Sequence, residues 1–207
     1  MHQIILIRHG EAAKSATDAD PGLTERGQVQ AEKLITQLEE RFPGGHGVRI
    51  VSSPKSRAIQ TALPVASHWK KDIDKEPRVI EIPSPQGLPL AQRGHWIKSL
   101  LHDGWDSLTP AQDLWRETVK GYLLQLGNEA DQTATDSSGT DNTNLPHTTL
   151  VFCHFMVINS VIADIRNDLK VAQFHPDYIS QTRLKLREGK LAIIELGSEK
   201  SLDNLIQ

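Results

Sequence analysis

The sequence predicts an α/β fold with a largely parallel sheet, and two patterns carry that prediction. Short apolar runs rich in β-branched residues alternate with longer segments whose apolar residues recur every three or four positions. Runs of the first kind suit strands that are buried on both faces, and segments of the second kind suit amphipathic helices. Strands that alternate with helices are typical of parallel sheets, because each parallel strand needs a crossover connection.

Size and composition favour a single globular domain over residues 1–207. Apolar residues make up 38% of the chain and charged residues 24%, which argues against general disorder. The net charge of −3 does not indicate a nucleic-acid partner. The one cysteine, Cys153, cannot form an internal disulfide, and no CxxC pair is present for zinc. Because there is neither a signal peptide pattern nor a run of roughly 20 apolar residues, we expect a cytoplasmic protein with no membrane partner.

The N-terminal part predicts a strand, a loop and a helix. Gln3–Ile7 is the expected opening strand, and the small polar residues of Glu11–Gly22 indicate a loop. Thr24 is a good helix N-cap, and Pro43–Gly45 ends the helix. The buried stripe of this helix has helical spacing and consists of Ala31, Leu34, Ile35 and Leu38.

A second strand and helix follow. Val48–Val51 is the expected strand. Ser53 is expected to cap a helix over Lys55–Trp69, with Pro54 at the first helical position, where its missing N–H has no acceptor. Residues Glu76–Ile82 are interpreted as extended chain.

The middle of the chain is divided by composition. Residues 83–94 contain three prolines and two glycines and predict an irregular excursion. Thr109 before Pro110 repeats the cap-then-proline signal and starts a helix. Residues 128–147, rich in Thr, Asp, Ser and Asn, predict a flexible surface insertion.

The C-terminal part predicts a third strand and helix, followed by a hairpin. Thr148–Cys153 is the strand, and Met156–Ile165 has the apolar spacing of a buried helix. Gln181–Leu186 and Leu191–Leu196 are expected to pair as antiparallel strands.

Candidate site residues lie where predicted strands end. His9 and His154 each follow a buried strand, and the carboxyl ends of parallel strands meet at one edge of a sheet. Arg8 adjoins His9, and Arg57 lies one turn into a predicted helix whose N-terminus favours anions. Guanidinium groups match phosphate oxygens bidentately. The sequence therefore predicts a pocket for a dianion.

Templates for other chemistries are missing. The chain contains no GxxxxGK[ST] phosphate loop, no HExxH metal motif and no GxSxG nucleophile elbow. Cys153 lies inside an apolar strand, which favours a buried hydrophobe over a nucleophile.

Four segments resemble the motifs of one family. LIRHGE at Leu6–Glu11 resembles an RHG signature, and Asp20–Ala31 resembles D-x-P-L-T-x-x-G-x-x-Q-A. SSPKSRAIQTA at Ser52–Ala62 matches S-S-P-x-x-R-A-x-Q-T-A, and VFCH at Val151–His154 resembles the strand that carries a second histidine. Together these segments resemble the histidine phosphatase superfamily, also called phosphoglycerate-mutase-like, in its phosphatase branch. The resemblance implies a three-layer αβα sandwich.

The resemblance also implies roles for these residues. His9 would be the nucleophile that forms a phosphohistidine, and Arg8, Arg57 and His154 would hold the phosphoryl oxygens, with His154 counted among the catalytic residues. A neutral His9 requires that its other ring nitrogen donate to a fixed acceptor, such as a backbone carbonyl. Arginines carry the neutralising charge, so neither a metal nor another cofactor is expected.

The resemblance implies a carboxylic acid that protonates the leaving alkoxide. Glu81 is the best match by position, and Glu76 and Glu11 remain alternatives. Two other positions depart from the family pattern: Gly22 replaces a proline, and Phe155 stands where glycine is usual.

The expected function is a metal-independent phosphomonoester hydrolase of the histidine acid phosphatase type. Its partner would be a small phosphorylated substrate or a phosphohistidine protein, and residues 83–105 would cap the pocket. The alternatives are phosphoryl transfer of the phosphoglycerate mutase type and a phosphate-binding module without turnover.

Overall fold

A computed structural model describes residues 2–134 and 147–200, without the side chains of residues 127–134. Its centre is a six-stranded sheet in the order β3-β2-β4-β1-β5-β6. The strands are β1 (His2–Arg8), β2 (Val48–Ser52), β3 (Asp74–Lys75), β4 (Thr148–Cys153), β5 (Gln181–Arg187) and β6 (Lys190–Glu195).

The sheet is mixed. Three neighbouring pairs are parallel (β1 with β4, β4 with β2, and β2 with β3), and two are antiparallel (β1 with β5, and β5 with β6). The predicted hairpin is confirmed as the antiparallel edge. Because β1, β2 and β4 run in the same direction, the residues that follow them meet at one edge.

Five helices in the described residues cover the two faces of the sheet. They are α1 (Glu25–Arg41), α2 (Ser56–Trp69), α3 (Leu90–Ser99), α4 (Pro110–Ala134) and α5 (Phe155–Arg166). Side chains of β1 alternate between two apolar clusters: Ile4 and Leu6 pack on the side of α4 and α5, whereas Ile5 and Ile7 pack on the side of α1 and α2. This is the predicted αβα sandwich.

Two predictions about the region after β2 are wrong. The second helix begins at Ser56, its N-cap Lys55 makes no side-chain capping bond, and Pro54 lies in the preceding turn. Residues 76–82 are not extended, because Pro77–Val79 forms a turn of 3₁₀ helix with Glu76 as its side-chain cap.

Two predicted irregular segments contain helix. Helix α3 lies inside the predicted 83–105 excursion. None of its residues is buried, so its sequence has no apolar stripe at helical spacing that would predict a helix. Helix α4 continues into the predicted 128–147 insertion as far as Ala134. Residues 135–146 of that insertion lie outside the described residues. Among the residues described, none of the helices combines the length and the apolar character needed to span a bilayer.

The loop after β1 lies directly against the backbone of α1. A Cβ atom added to Gly27 would stand 2.1 Å from the carbonyl oxygen of Glu11, and one added to Gly10 would stand 2.8 Å from the carbonyl oxygen of Gly27. Neither glycine has a positive φ, so closeness and not backbone freedom requires glycine here. This contact fixes the position of the loop relative to α1.

We expect Gly27→Ala to lower the free energy of unfolding by at least about 1–3 kcal/mol, the usual cost of overpacking, because the added methyl group meets backbone that cannot rotate away. Gly121→Ala in α4 is the matched control, since its Cβ would meet nothing within 4 Å. That control should gain about 0.5–1 kcal/mol from helix propensity. Urea denaturation of both variants measures the difference, and equal stabilities would show that the loop can move away from α1.

Candidate active site

His9 follows β1 and is held by backbone on two sides. Its N–H donates to the carbonyl oxygen of Cys153 at 3.1 Å, which extends the pairing of β1 with β4 by one residue. Its ring nitrogen Nδ1 lies 2.7 Å from the carbonyl oxygen of Gly10. A carbonyl oxygen can only accept, so Nδ1 carries the hydrogen and the lone pair of the neutral ring lies on Nε2. This is the arrangement that a nucleophilic histidine requires.

His154 follows β4 and lies beside His9. The two ring centroids are 5.3 Å apart in an edge-to-face arrangement. Nε2 of His154 lies 2.8 Å from the hydroxyl oxygen of Ser53, the residue after β2. Its Nδ1 is buried and has no hydrogen-bond partner among the described residues. Ser53 is therefore a partner of His154, and not the helix cap that its position after β2 predicted.

Two guanidinium groups complete the cationic side of the site. Arg57 lies in the first turn of α2 and forms an ion pair of 3.8 Å with Asp20. Arg8 donates from Nη1 to the carbonyl oxygen of Pro176 at 2.7 Å. Both are close enough to His9 to lower its pKa.

Both histidines are neutral at neutral pH. Burial holds the pKa of His9 well below its usual value, and the charges of Arg8 and Arg57 lower it further. Burial also lowers the pKa of His154, followed in size by the effects of His9 and Arg57. Neutral rings can attack or donate to a phosphoryl group, so burial beside arginines suits both predicted roles.

Glu81 is a buried carboxyl group beside the same arginines. Its Oε1 accepts backbone hydrogen bonds from Ile82 at 3.1 Å and Met156 at 3.2 Å. Burial raises the pKa of Glu81 above its ordinary value, although the hydrogen bonds and the nearby Arg57 and Arg8 oppose this shift. A raised pKa keeps a carboxyl group protonated at higher pH, which suits a general acid.

The other two candidate acids are engaged elsewhere. The carboxylate of Glu76 accepts three hydrogen bonds from Arg78, two from the guanidinium group and one from the backbone N–H, and these bonds hold its pKa below the usual value. Glu11 accepts from the hydroxyl group of Thr24 at 2.8 Å and pairs with Arg26 at 3.5 Å. Among the three carboxyl groups, Glu81 has the environment of a proton donor.

The structure adds a residue that the sequence reasoning left without a role. Asp20, in the loop after β1, accepts from the backbone N–H and the hydroxyl group of Ser56. It thus caps α2 from a distant part of the chain and also pairs with Arg57. Only the matched motif around Asp20 could have indicated this residue, because a cap is ordinarily sought next to its helix.

Polar residues of the matched motifs fix the loops by hydrogen bonds to backbone. Thr61 accepts from the N–H of Gly10 at 3.0 Å and donates to the carbonyl oxygen of Arg57. Gln30 accepts from Glu11, and Gln60 accepts from Leu23. These side chains connect the loops that precede α1 to α1 and α2.

A family model described as the histidine phosphatase superfamily (branch 1) matches residues 4–199. This chain belongs to that superfamily. The matched range contains Arg8, His9, Arg57, His154 and Glu81. The family assignment made from the motifs is confirmed.

Two curated relatives match part of the chain. Phosphoserine phosphatase 1 of Hydrogenobacter thermophilus is 37% identical over 87 residues, which are 40% of this chain and 39% of that protein. The 2,3-bisphosphoglycerate-dependent phosphoglycerate mutase of Thermoplasma acidophilum is 38% identical over 84 residues, which are 38% of this chain and 40% of that protein. The chain thus spans about two fifths of the length of each relative in these matches.

Several solved structures match nearly the whole chain. A mutant phosphoserine phosphatase of Entamoeba histolytica in complex with phosphoserine is 23% identical, with a TM-score of 0.66 over 96% of this chain and 98% of that chain. A mycobacterial glucosyl-3-phosphoglycerate phosphatase is 17% identical, with a TM-score of 0.68 over 97% of this chain and 100% of that chain. At these identities the matches establish the shared fold, which confirms the predicted fold class.

We expect Arg57→Ala to weaken the binding of orthovanadate, an analogue of the phosphoryl group, by at least tenfold, because a charged hydrogen bond contributes about 1.5–3 kcal/mol. Isothermal titration calorimetry measures this loss. Arg49→Ala is the control, since Arg49 lies on β2 and pairs with Asp74 at the surface. Equal dissociation constants for the two variants would remove Arg57 from the anion site.

Proposed function

We propose that this chain is a metal-independent phosphomonoester hydrolase that acts through a phosphohistidine on His9. The observation that carries the proposal is the hydrogen bond from Nδ1 of His9 to the carbonyl oxygen of Gly10. It leaves the Nε2 lone pair on a buried, neutral ring beside His154. Histidines held for structural reasons do not need an unprotonated nitrogen at the centre of a cationic pocket.

The proposed reaction has two balanced steps. In the first, Nε2 of His9 forms a bond to phosphorus while the bond to the ester oxygen breaks, and that oxygen takes the proton of Glu81. In the second, a water molecule attacks the phosphohistidine, its proton passes to the Glu81 carboxylate, and phosphate leaves with His9 restored. Covalent catalysis divides one difficult displacement into two easier ones.

Electrostatics supplies most of the acceleration in this scheme. Phosphate monoesters hydrolyse so slowly that enzymes accelerate them by up to ~10²¹-fold, which requires more than about 20 kcal/mol. One charged hydrogen bond contributes only about 1.5–3 kcal/mol, so several donors must act together. Arg8, Arg57 and His154 supply these donors around the nucleophile, and no metal ion is needed for charge neutralisation.

The relatives support a small substrate with a phosphate ester. They include phosphoserine phosphatases, a glucosyl-3-phosphoglycerate phosphatase and a phosphoglycerate mutase. We therefore propose a small phosphorylated metabolite as the substrate of this chain, with a phosphohistidine protein as the second choice. Capping of the pocket by residues 83–105 and a cytoplasmic location are parts of the same proposal that remain predictions.

Mutase-type transfer is the second candidate, and the match to a phosphoglycerate mutase favours it. A mutase returns the phosphoryl group to its substrate, whereas a phosphatase releases inorganic phosphate. A panel of phosphoserine, phosphoglycerates, sugar phosphates and phosphohistidine protein, assayed for released phosphate with a chelator present, distinguishes the two. Binding of phosphate without turnover of any ester would instead indicate a module that only binds.

We expect His9→Ala to abolish both phosphate release and the phosphoenzyme trapped from a ³²P-labelled substrate by rapid quench in alkaline detergent, in which phosphohistidine is stable. The methyl group has no lone pair to attack phosphorus, so no covalent intermediate can form. His46→Ala is the matched control, because His46 is exposed in the turn after α1, and it should keep full activity. Undiminished turnover in His9→Ala would refute the proposed nucleophile.

We expect kcat/KM for an alkyl phosphate to fall at both ends of the pH scale. Its acid limb follows protonation of His9 and lies below the usual histidine range, because the pKa of His9 is lowered. Its basic limb follows loss of the Glu81 proton and lies above the usual carboxyl range, because that pKa is raised. Glu81→Gln should remove the basic limb and slow alkyl phosphates far more than aryl phosphates, whose leaving groups need no acid. Equal effects on both ester types would exclude Glu81 as the acid.

A further inference from the structure

The guanidinium group of Arg8 lies against two aromatic rings. Its Cζ atom is 4.5 Å from the centroid of the Tyr178 ring and 5.4 Å from the centroid of the Phe155 ring. Distances below about 6 Å place a cation in the attractive field of a ring face. Tyr178 is also a neighbour of the nucleophile, with its ring centroid 6.3 Å from that of His9.

Arg8 is held in this position without a direct carboxylate partner. The hydrogen bond of its side chain goes to a neutral acceptor, the carbonyl oxygen of Pro176. Its Nε is buried without a partner among the described residues, and no carboxylate of these residues forms an ion pair with Arg8, although Glu81 and Asp177 lie close enough to favour its charged form. A carboxylate partner would compete with a phosphoryl group for the guanidinium, whereas an aromatic face attracts the cation without carrying a charge.

The backbone beside Tyr178 is strained and is tied to Arg8. Ile179 has a φ of +56°, a conformation that β-branched residues rarely adopt. The N–H of Ile179 donates to the carbonyl oxygen of Arg8 at 3.0 Å, and the N–H of Arg8 donates to Ser180 at 3.2 Å. Strain of this kind persists where surrounding contacts require it, and it often accompanies functional sites.

Phe155 places a second ring against Arg8. It stands directly after His154. As the first residue of α5 it extends its ring to Arg8 and lies 6.0 Å from the ring of His175. A ring directly after one predicted phosphate ligand therefore contacts another, Arg8.

We propose that Tyr178 and Phe155 are positioning residues that clamp the guanidinium of Arg8 in the orientation that receives the phosphoryl group. We call this pair the aromatic clamp. The inference rests on the proposed function in one respect, because it takes Arg8 as a phosphoryl ligand. The rings replace the carboxylate that ordinarily orients a buried arginine and leave its charge for the substrate.

The test is a double-mutant cycle between Tyr178→Leu and Arg8→Ala, with orthovanadate affinity measured by calorimetry. We expect Tyr178→Leu to weaken binding about tenfold in the otherwise unchanged protein, which corresponds to about 1.4 kcal/mol. In the Arg8→Ala background, Tyr178→Leu should lower vanadate affinity by less than about twofold, because the guanidinium group that the clamp positions is then absent. Tyr178→Phe retains the ring and should restore binding to nearly full affinity.

Phe174→Leu is the matched control for loss of an aromatic ring. Phe174 is buried near the same segment and has no cation contact among the described residues. Its effect on vanadate affinity should be small and equal in both backgrounds. A second double-mutant cycle pairs Phe155→Leu with Arg8→Ala. If one of the two clamp variants folds poorly, the other still measures the coupling to Arg8.

The outcomes separate this inference from the proposed function. Equal losses for Tyr178→Leu in the two backgrounds would overturn the clamp, even if the protein hydrolyses phosphate esters and His9→Ala does not. A coupled loss of vanadate affinity in a protein that hydrolyses no ester would support the clamp and refute the hydrolase. Absence of vanadate binding by the unchanged protein would overturn both.

Discussion

The site depends on the contact between the loop after β1 and the backbone of α1. Gly27 has no room for a side chain because the Glu11 carbonyl group occupies that space, and a Cβ atom on Gly10 would also come within 3.0 Å of the α1 backbone, at 2.8 Å from the Gly27 carbonyl oxygen. Gly10 in turn presents its carbonyl oxygen to Nδ1 of His9 and its N–H to Thr61 of α2. A movement of α1 would therefore be transmitted through one glycine to the protonation pattern of the nucleophile.

Burial and like charges act together in the pocket. Arg8 and Arg57 would repel a charged imidazole, and desolvation disfavours that charge further, so both histidines stay neutral. The same burial acts in the opposite direction on Glu81, whose charged form it also disfavours. Burial therefore lowers the pKa of the base and raises the pKa of the acid, although the arginines oppose the shift of the acid. Desolvation is the larger effect for all three groups.

The sequence predicts those features that depend on local pattern. Thr24 caps α1 as its position predicts, accepting from the N–H of Gly27, and both histidines follow strands whose apolar runs are clear. Predictions of features that depend on contacts between distant parts of the chain were wrong, and some of these features were not predicted at all. The cap of α2 comes from Asp20, thirty-six positions away in the chain, and it leaves Ser53 free to bind His154. Helix α3 has no buried face to produce a periodic signal, so composition alone indicated a loop.

The two hydrogen bonds received by Glu81 determine which of its oxygens can carry an acid hydrogen. Backbone donors from Ile82 and Met156 both occupy Oε1, so the neutral carboxyl group carries its hydrogen on Oε2. In the proposed reaction the hydrogen is then transferred from one atom along one direction. An ester can react only when its bridging oxygen faces that atom while phosphorus faces the imidazole. The site would therefore select substrates by the orientation of their P–O–C unit, in addition to the size and charge of the rest of the substrate.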